Sequence, residues 1–189
     1  MNLHYHFSVM GFSNTYIISK EDSCDAILID PGVMDVPLLK IIEGNNLYIR
    51  NILVTHSHES HIKGLGTILK IYDADVYAGS KHIGETEVNR IDPDQDYSIS
   101  GFDVETFIIP GHSSDSMVFK IGNLLFTGDI LGAGKIGSTP NRYARVMMIE
   151  AIQNKLFTLP EDCIILPGHG APSTIRTEKL YNPSLSQEL

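Results

Sequence analysis

Five times in 189 residues a short apolar run stops abruptly at a side chain able to bind a metal or carry a proton. The runs are Ile27-Leu28-Ile29 before Asp30, Ile52-Leu53-Val54 before Thr55, His56 and His58, and Phe107-Ile108-Ile109 before Pro110-Gly111-His112. Leu124-Leu125-Phe126 leads likewise into Thr127-Gly128-Asp129, and Ile164-Ile165-Leu166 into Pro167-Gly168-His169. Each run suits a buried strand. Each polar residue therefore falls at a strand's C-terminal end, where the loops of α/β proteins gather functional groups. One histidine after an apolar run is ordinarily a hydrogen-bonded loop residue. A set of such endings made of histidine and aspartate is not what core packing selects.

The intervening sequence fits the same class. Leu3 to Val9 and Asn14 to Lys20 are rich in aromatic and β-branched residues around Met10-Gly11-Phe12-Ser13, which predicts an antiparallel pair. Asp25 to Asp30, Ile52 to Thr55 and Ala74 to Ala78 read as extended chain, and Val36 to Glu43 and Ile62 to Tyr72 as helices. In the second half the predicted strands are Phe102 to Ile109, Met117 to Ile121, Asn123 to Thr127 and Cys163 to Leu166, with a helix over Tyr143 to Leu159. On that helix Tyr143 and Met147-Met148 read as core contacts. Hairpins mixed with strand-helix-strand units favour sheets covered by helices, an α/β layered architecture. No Pro/Ser/Gly-rich linker divides the chain, so residues 1–189 are read as one domain with a loosely packed tail after about Tyr181.

Composition narrows the partners. With 14 basic and 23 acidic residues the net charge is −9, and no long Lys/Arg run is present. Neither nucleic acid nor an anionic membrane is an expected partner; a small-molecule substrate is, and nothing in the sequence sets an oligomeric state. The apolar runs fall far short of the ~20 residues that span a bilayer, and Met1 to Met10 shows no secretory pattern, so the expectation is a cytoplasmic protein. Cys24 and Cys163 lie in or beside apolar runs and read as buried reduced thiols. A chain this long buries roughly 70% of its unfolded surface and needs no metal merely to stay folded. A metal site in it is functional first.

His56, His58 and His61 form the densest cluster. In extended chain His56 and His58 point the same way, and His61 opens the following helix. Imidazoles joined by a carboxylate suit zinc, iron or manganese rather than calcium or magnesium. His4, His6 and His82 read as surface or strand-face residues, and Asp115 as a loop residue. The glycine-rich stretch 128 to 137 lacks both the Lys-Ser/Thr ending of a phosphate-binding loop and a G-x-G-x-x-G pattern.

Thr55-His56-Ser57-His58-Glu59-Ser60-His61 resembles the T-H-x-H-x-D-H signature of the metallo-β-lactamase fold superfamily. Pro110-Gly111-His112-Ser113 resembles that family's second histidine loop, Thr127-Gly128-Asp129 its bridging aspartate, Pro167-Gly168-His169-Gly170 its last histidine, and Asp30-Pro31-Gly32 its early turn. These come in family order across residues 30 to 170. The glycine-rich segment 128 to 139 and the tail from Pro167 to Pro183 are similar to short, single-domain members of the glyoxalase II-like group. Full glyoxalase II enzymes carry an extra helical domain that helps hold glutathione, and a domain of that kind is not expected here.

The resemblance implies a four-layer αββα sandwich with one or two divalent metals, zinc first and iron or manganese as alternatives. His56, His58 and His112 would form the first site, His61 and His169 the second, and Asp129 would bridge both. The family places an aspartate between the second and third clustered histidines; here that position is Ser60. A hydroxyl is a weaker ligand than a carboxylate, which implies a weakened second site. Glu59 is adjacent but should point elsewhere.

The implied activity is hydrolysis of a small thioester or ester by water that the cation has made acidic, with Asp129, His56, His58 and His112 as the catalytic set. Asp30 is a candidate acceptor for a ligating imidazole N–H, with a turn-starting role as its alternative. Lys135 and Arg142 are candidates to meet an anionic substrate group, with solvated surface charge as theirs. Where the related group often places arginine, this chain has Ser138. Two other functions stay open: a mononuclear iron oxygenase of the persulfide dioxygenase type, and a degenerate member that binds metal or ligand without turnover.

Overall fold

Tyr5, Phe7, Tyr16, Ile17 and Ile18 favour a pleated, half-buried surface. A computed structural model of the chain forms them into β1 (Asn2–Phe7) and β2 (Asn14–Ser19), antiparallel with Leu3 opposite Ile18. The structure describes residues 1–92 and 94–185. Two units divide the chain: Met1–Ile91 with Ser98–Phe102, and Asp92–Tyr97 with the chain from Asp103 onward.

The first unit continues with β3 (Asp25–Ile29), α1 (Val36–Gly44), β4 (Tyr48–Val54), α2 (Glu59–Ile62), α3 (Leu65–Ile68), β5 (Asp75–Ala78), β6 (His82–Ile83), β7 (Thr86–Glu87) and β8 (Asn89–Arg90). Its sheet runs β1-β2-β3-β4-β5-β8, with β3, β4, β5 and β8 parallel. Asp35 caps α1, its carboxylate accepting from the Leu38 N–H at 2.9 Å. The helix then buries Leu38 and Ile42 with Ile17, Leu28, Ile52 and Val54. Parallel β3 and β4, with Ile29 beside Leu53, bring Asp30 and Thr55 to one edge.

Ile62 to Tyr72 is not the continuous helix its spacing predicts. Gly64 breaks it, donating its N–H to the Pro31 and Gly32 carbonyls at 2.9 Å each. A Cβ there would lie 2.7 Å from both Pro31 O and Met34 N, so only glycine lets α2 dock on the Asp30-Pro31-Gly32 turn.

The second unit holds β9 (Asp96–Ile99), β10 (Phe102–Ile108), β11 (Met117–Ile121), β12 (Leu124–Gly128), β13 (Leu131–Gly132), β14 (Lys135–Ile136), α4 (Arg142–Ala151), β15 (Ile164–Pro167), β16 (Ser173–Thr174) and α5 (Ile175–Tyr181); the turn Ser98–Phe102 between its first two strands counts with the first unit. The sheet order is β16-β15-β12-β11-β10-β9. β10 and β12 are each antiparallel to β11, and β12 is parallel to β15. All three therefore end at one edge, which is why residues 112, 129 and 169 gather there. Met148, Ile152 and Leu156 pack with Ile109, Val118, Leu125 and Ile165 beneath them.

Three expectations change. α4 gives way after Ala151 to a wider helical coil over Ile152–Leu156, and Tyr143 in its first turn is 74% exposed. Cys24 is exposed, because it precedes β3 in a turn, while Cys163 is buried and burial pushes its thiol pKa up. At the start of the tail, buried Asn182 donates to Glu178 at 2.6 Å and Arg145 donates to Ser184 O at 2.9 Å, while Pro183 is exposed. The rest of the predicted loose tail lies outside the described residues. His6 is a strand-face residue, buried beside Asp35 at 3.2 Å. No described helix is long and apolar enough to cross a membrane.

Candidate metal centre

In the first unit a buried carboxylate organises the histidines. Asp30 ends β3 at φ +53°, a left-handed conformation that aspartate tolerates better than most residues. Its Oδ1 accepts from the Thr55 N–H at 2.7 Å, and its Oδ2 accepts from Thr55 Oγ1 at 2.7 Å and His61 Nδ1 at 2.9 Å. Because a carboxylate only accepts, the His61 proton sits on Nδ1 and the Nε2 lone pair is left for a ligand. The single Thr55 hydroxyl proton goes to Asp30, so Thr55 Oγ1 accepts from His56 Nδ1 at 3.1 Å. That fixes His56 in the same tautomer. His56 Nε2 then faces His58 Nδ1 at 2.9 Å. Two nitrogens each ~2.05 Å from a cation lie about 2.9 Å apart at a right angle and about 3.3 Å apart at the tetrahedral angle, so the pair fits a shared ion.

The second unit repeats the logic. His112 donates Nδ1–H to the Ser138 carbonyl at 2.8 Å, which leaves the Nε2 lone pair facing Asp129 Oδ2 at 3.7 Å. Two electron-rich atoms at that separation, past hydrogen-bond length, frame a gap that a cation fills. Asp129 Oδ1 accepts from His169 Nδ1 at 2.7 Å. One carboxylate thus turns its two oxygens toward two different imidazoles, the disposition a bridging ligand needs. These donor sets fit a divalent N/O-ligated metal.

A cavity of about 410 Å³ opens beside them, lined among others by His112, Asp129, Leu131, Lys135, Ser138 and His169. Gly137, also in its wall, is indispensable for a different reason than flexibility. A Cβ at Gly137 would lie 2.0 Å from Asp129 O and 3.1 Å from His112 Nδ1. Gly137→Ala is expected to cost about 1–3 kcal/mol and to lower metal content along with the unfolding midpoint. A variant with normal metal content would show that this close approach does not align the ligands.

Of the predicted site residues, the first unit brings together Asp30, His56, His58 and His61, and the second His112, Asp129, His169 and Lys135. Arg142 begins α4, is exposed, and is not among the cavity-lining residues. Glu59 is exposed and paired with Lys63 at 3.1 Å, and Ser60 is half-buried beside it. Asp115 accepts from Ser113 Oγ at 2.7 Å within its loop. Sequence reasoning gave no role to Thr55, whose hydroxyl links Asp30 to His56, or to Glu178, a buried acid on α5. A signal for Glu178 was present: Ile175, Glu178 and Asn182 recur at helical spacing on a face that is buried.

The sequence profile of the metallo-beta-lactamase superfamily matches residues 9–169 and so runs through both units. The chain belongs to that superfamily. It is 27% identical to the hydroxyacylglutathione hydrolase GloC of Haemophilus influenzae, over 95% of this chain and 96% of that one. It is 29% identical to human mitochondrial persulfide dioxygenase ETHE1, over 95% of this chain and 74% of that one. The crystal structure of the BLEG-1 B3 metallo-beta-lactamase superposes with a TM-score of 0.88 at 25% identity, covering 98% of this chain and all of that one. The fold is the α/β metallo-β-lactamase fold that the motifs implied. Its members are metal-dependent enzymes, mostly hydrolases but with an oxygenase among the relatives.

Proposed function

We propose that the chain is a metal-dependent hydrolase of small thioesters or esters, in which both units act as one domain. His56, His58 and His112 would hold one divalent cation, zinc in the first instance. His61 and His169 would hold a second more weakly, with Asp129 shared. The observation that carries this reading is Asp129, whose two oxygens address His112 and His169 separately.

A bound cation of this kind supplies acidified water, its pKa lowered from 15.7 to about 7, and a polarised carbonyl. The chain's own groups do the rest. Asp129 accepts a hydrogen bond from the attacking water and keeps its lone pair aimed at the carbonyl carbon. Asp30 and the Ser138 carbonyl hold His61 and His112 in the ligating tautomer. Leu131 and Ile136 give the cavity apolar walls that limit water beside the reacting bond. A thiol of pKa about 8.5 leaves as thiolate without a general acid, which suits a cavity whose histidines are engaged through Nδ1.

Ser60 favours one further reading, since a single-metal site is also what an iron oxygenase of the persulfide dioxygenase type requires. The two separate in one experiment. Protein stripped with a chelator is reloaded with zinc, iron(II) or manganese, then assayed for thiol release from S-acetyl thioesters and for oxygen uptake with glutathione persulfide. Thiol release restored by metal and absent from reloaded His112→Ala is expected. Oxygen consumption with iron alone, and no thiol release with any metal, would overturn the hydrolase reading.

A further inference from the structure

The β13–β14 hairpin carries a cation into the cavity wall without neutralising it. Gly132 pairs with Lys135 and Leu131 with Ile136 around the turn Ala133-Gly134, where Gly134 has φ +69°. Lys135 lines the same 410 Å³ cavity as His112, Asp129 and His169 and is exposed. Among the described residues it forms no ion pair, so its charge is available to a ligand in the cavity.

Two contacts fix where that ammonium sits. Gly134 N–H donates to Glu178 Oε2 at 3.0 Å, tying the hairpin tip to α5. Glu178 is 1% exposed; its Oε2 also accepts from Asn182 Nδ2 at 2.6 Å and its Oε1 accepts from Ser173 Oγ. Three neutral donors thus satisfy a buried carboxylate, and no cation is spent on it. At the other end, Lys135 runs over Gly170, the residue after His169: a Cβ there would stand 3.3 Å from Nζ and 3.4 Å from Cε. The missing side chain leaves the ammonium its berth next to the histidine loop.

We propose that Lys135 anchors a carboxylate of the substrate, so that the bond cleaved belongs to an anionic thioester, and that Glu178 is the positioning residue for this anchor. The proposal rests on the hydrolase reading above. A single ammonium, with Arg142 outside the cavity, matches a monoanionic carboxylate better than a phosphate dianion, which calls for more donors.

The test compares three substrates on the metal-loaded protein. S-acetyl-3-mercaptopropionate carries its carboxylate on the thiol half, the succinyl thioester of 2-mercaptoethanol carries it on the acyl half, and S-acetyl-3-mercaptopropionamide has none. Lys135→Met is expected to lower the ratio of charged-to-neutral kcat/KM about tenfold, with the fall carried by KM, and Lys135→Arg to restore most of it. Whichever charged substrate responds identifies the half seated at Lys135. Glu178→Gln is expected to shift the same ratio less and in the same direction, a change that mere loss of stability does not produce. Equal changes on charged and neutral substrates, or none, would overturn the anchor. If the parent cleaves no thioester, the hydrolase reading fails separately. Calorimetric binding of 3-mercaptopropionate against 3-mercaptopropionamide then decides: a preference for the acid lost in Lys135→Met supports the anchor, and equal affinity in the parent removes it.

Discussion

Asp129→Asn is expected to leave the chain folded, strip it of most of its metal and lower turnover by about 10³-fold or more. Asparagine keeps the shape of the side chain, and its amide oxygen still accepts from His169 Nδ1, so the hydrogen bond at 2.7 Å survives. What disappears is the charge and the second ligating oxygen. In the parent, Oδ2 faces the lone pair of His112 Nε2 at 3.7 Å, a pairing that a cation makes favourable. In the variant an amide N–H points there instead and hydrogen-bonds the imidazole, closing the gap. Elemental analysis, circular dichroism and kcat on one preparation separate loss of metal from loss of fold. Turnover within tenfold of the parent at full metal content would show that Asp129 is not a ligand, and the proposed chemistry would go with it.

The ends of the strands were legible in the sequence because burial and chemistry change at the same residue there. Five apolar runs gave five strands, β3, β4, β10, β12 and β15, each stopping within four residues of its functional side chain. What gathers those ends is register, which no local pattern specifies: β3 against β4, and β12 against β15, are parallel pairs set by tertiary packing. The failures have the same origin. The spacing over 62–72 is helical, yet Gly64 gives its N–H to the Pro31 turn and splits the helix. Tyr143 lies at core spacing but in a first turn that faces solvent, and Cys24 lies beside an apolar run but in the turn before it. Glu178 could not be placed from composition, since its partners Gly134, Ser173 and Asn182 come from three separate stretches.

Ser60→Asp is expected to raise tightly held metal from about one equivalent per chain towards two. The family pattern has a carboxylate at this position, and the neighbouring acid does not replace it, because the Glu59 carboxylate is 80% exposed and paired with Lys63 at 3.1 Å. Ser60 is held by its backbone, its carbonyl accepting from Ser13 Oγ at 2.7 Å, so the substitution leaves that anchor in place. Loss of a hydrogen-bond partner behind a ligand already moves metal affinity 10–100-fold, so gain of a ligand should strengthen the second site by about 10²-fold or more. Titration against a competing chelator reads that change without any assay of turnover. A parent chain already holding two full equivalents would mean that His61, His169 and Asp129 suffice; a variant fixed at one would mean that residue 60 does not reach the metal. Either result would also bear on the reaction, because a chain that never takes a second ion suits the single-metal oxygenase reading, and one that takes it readily suits a dinuclear hydrolase.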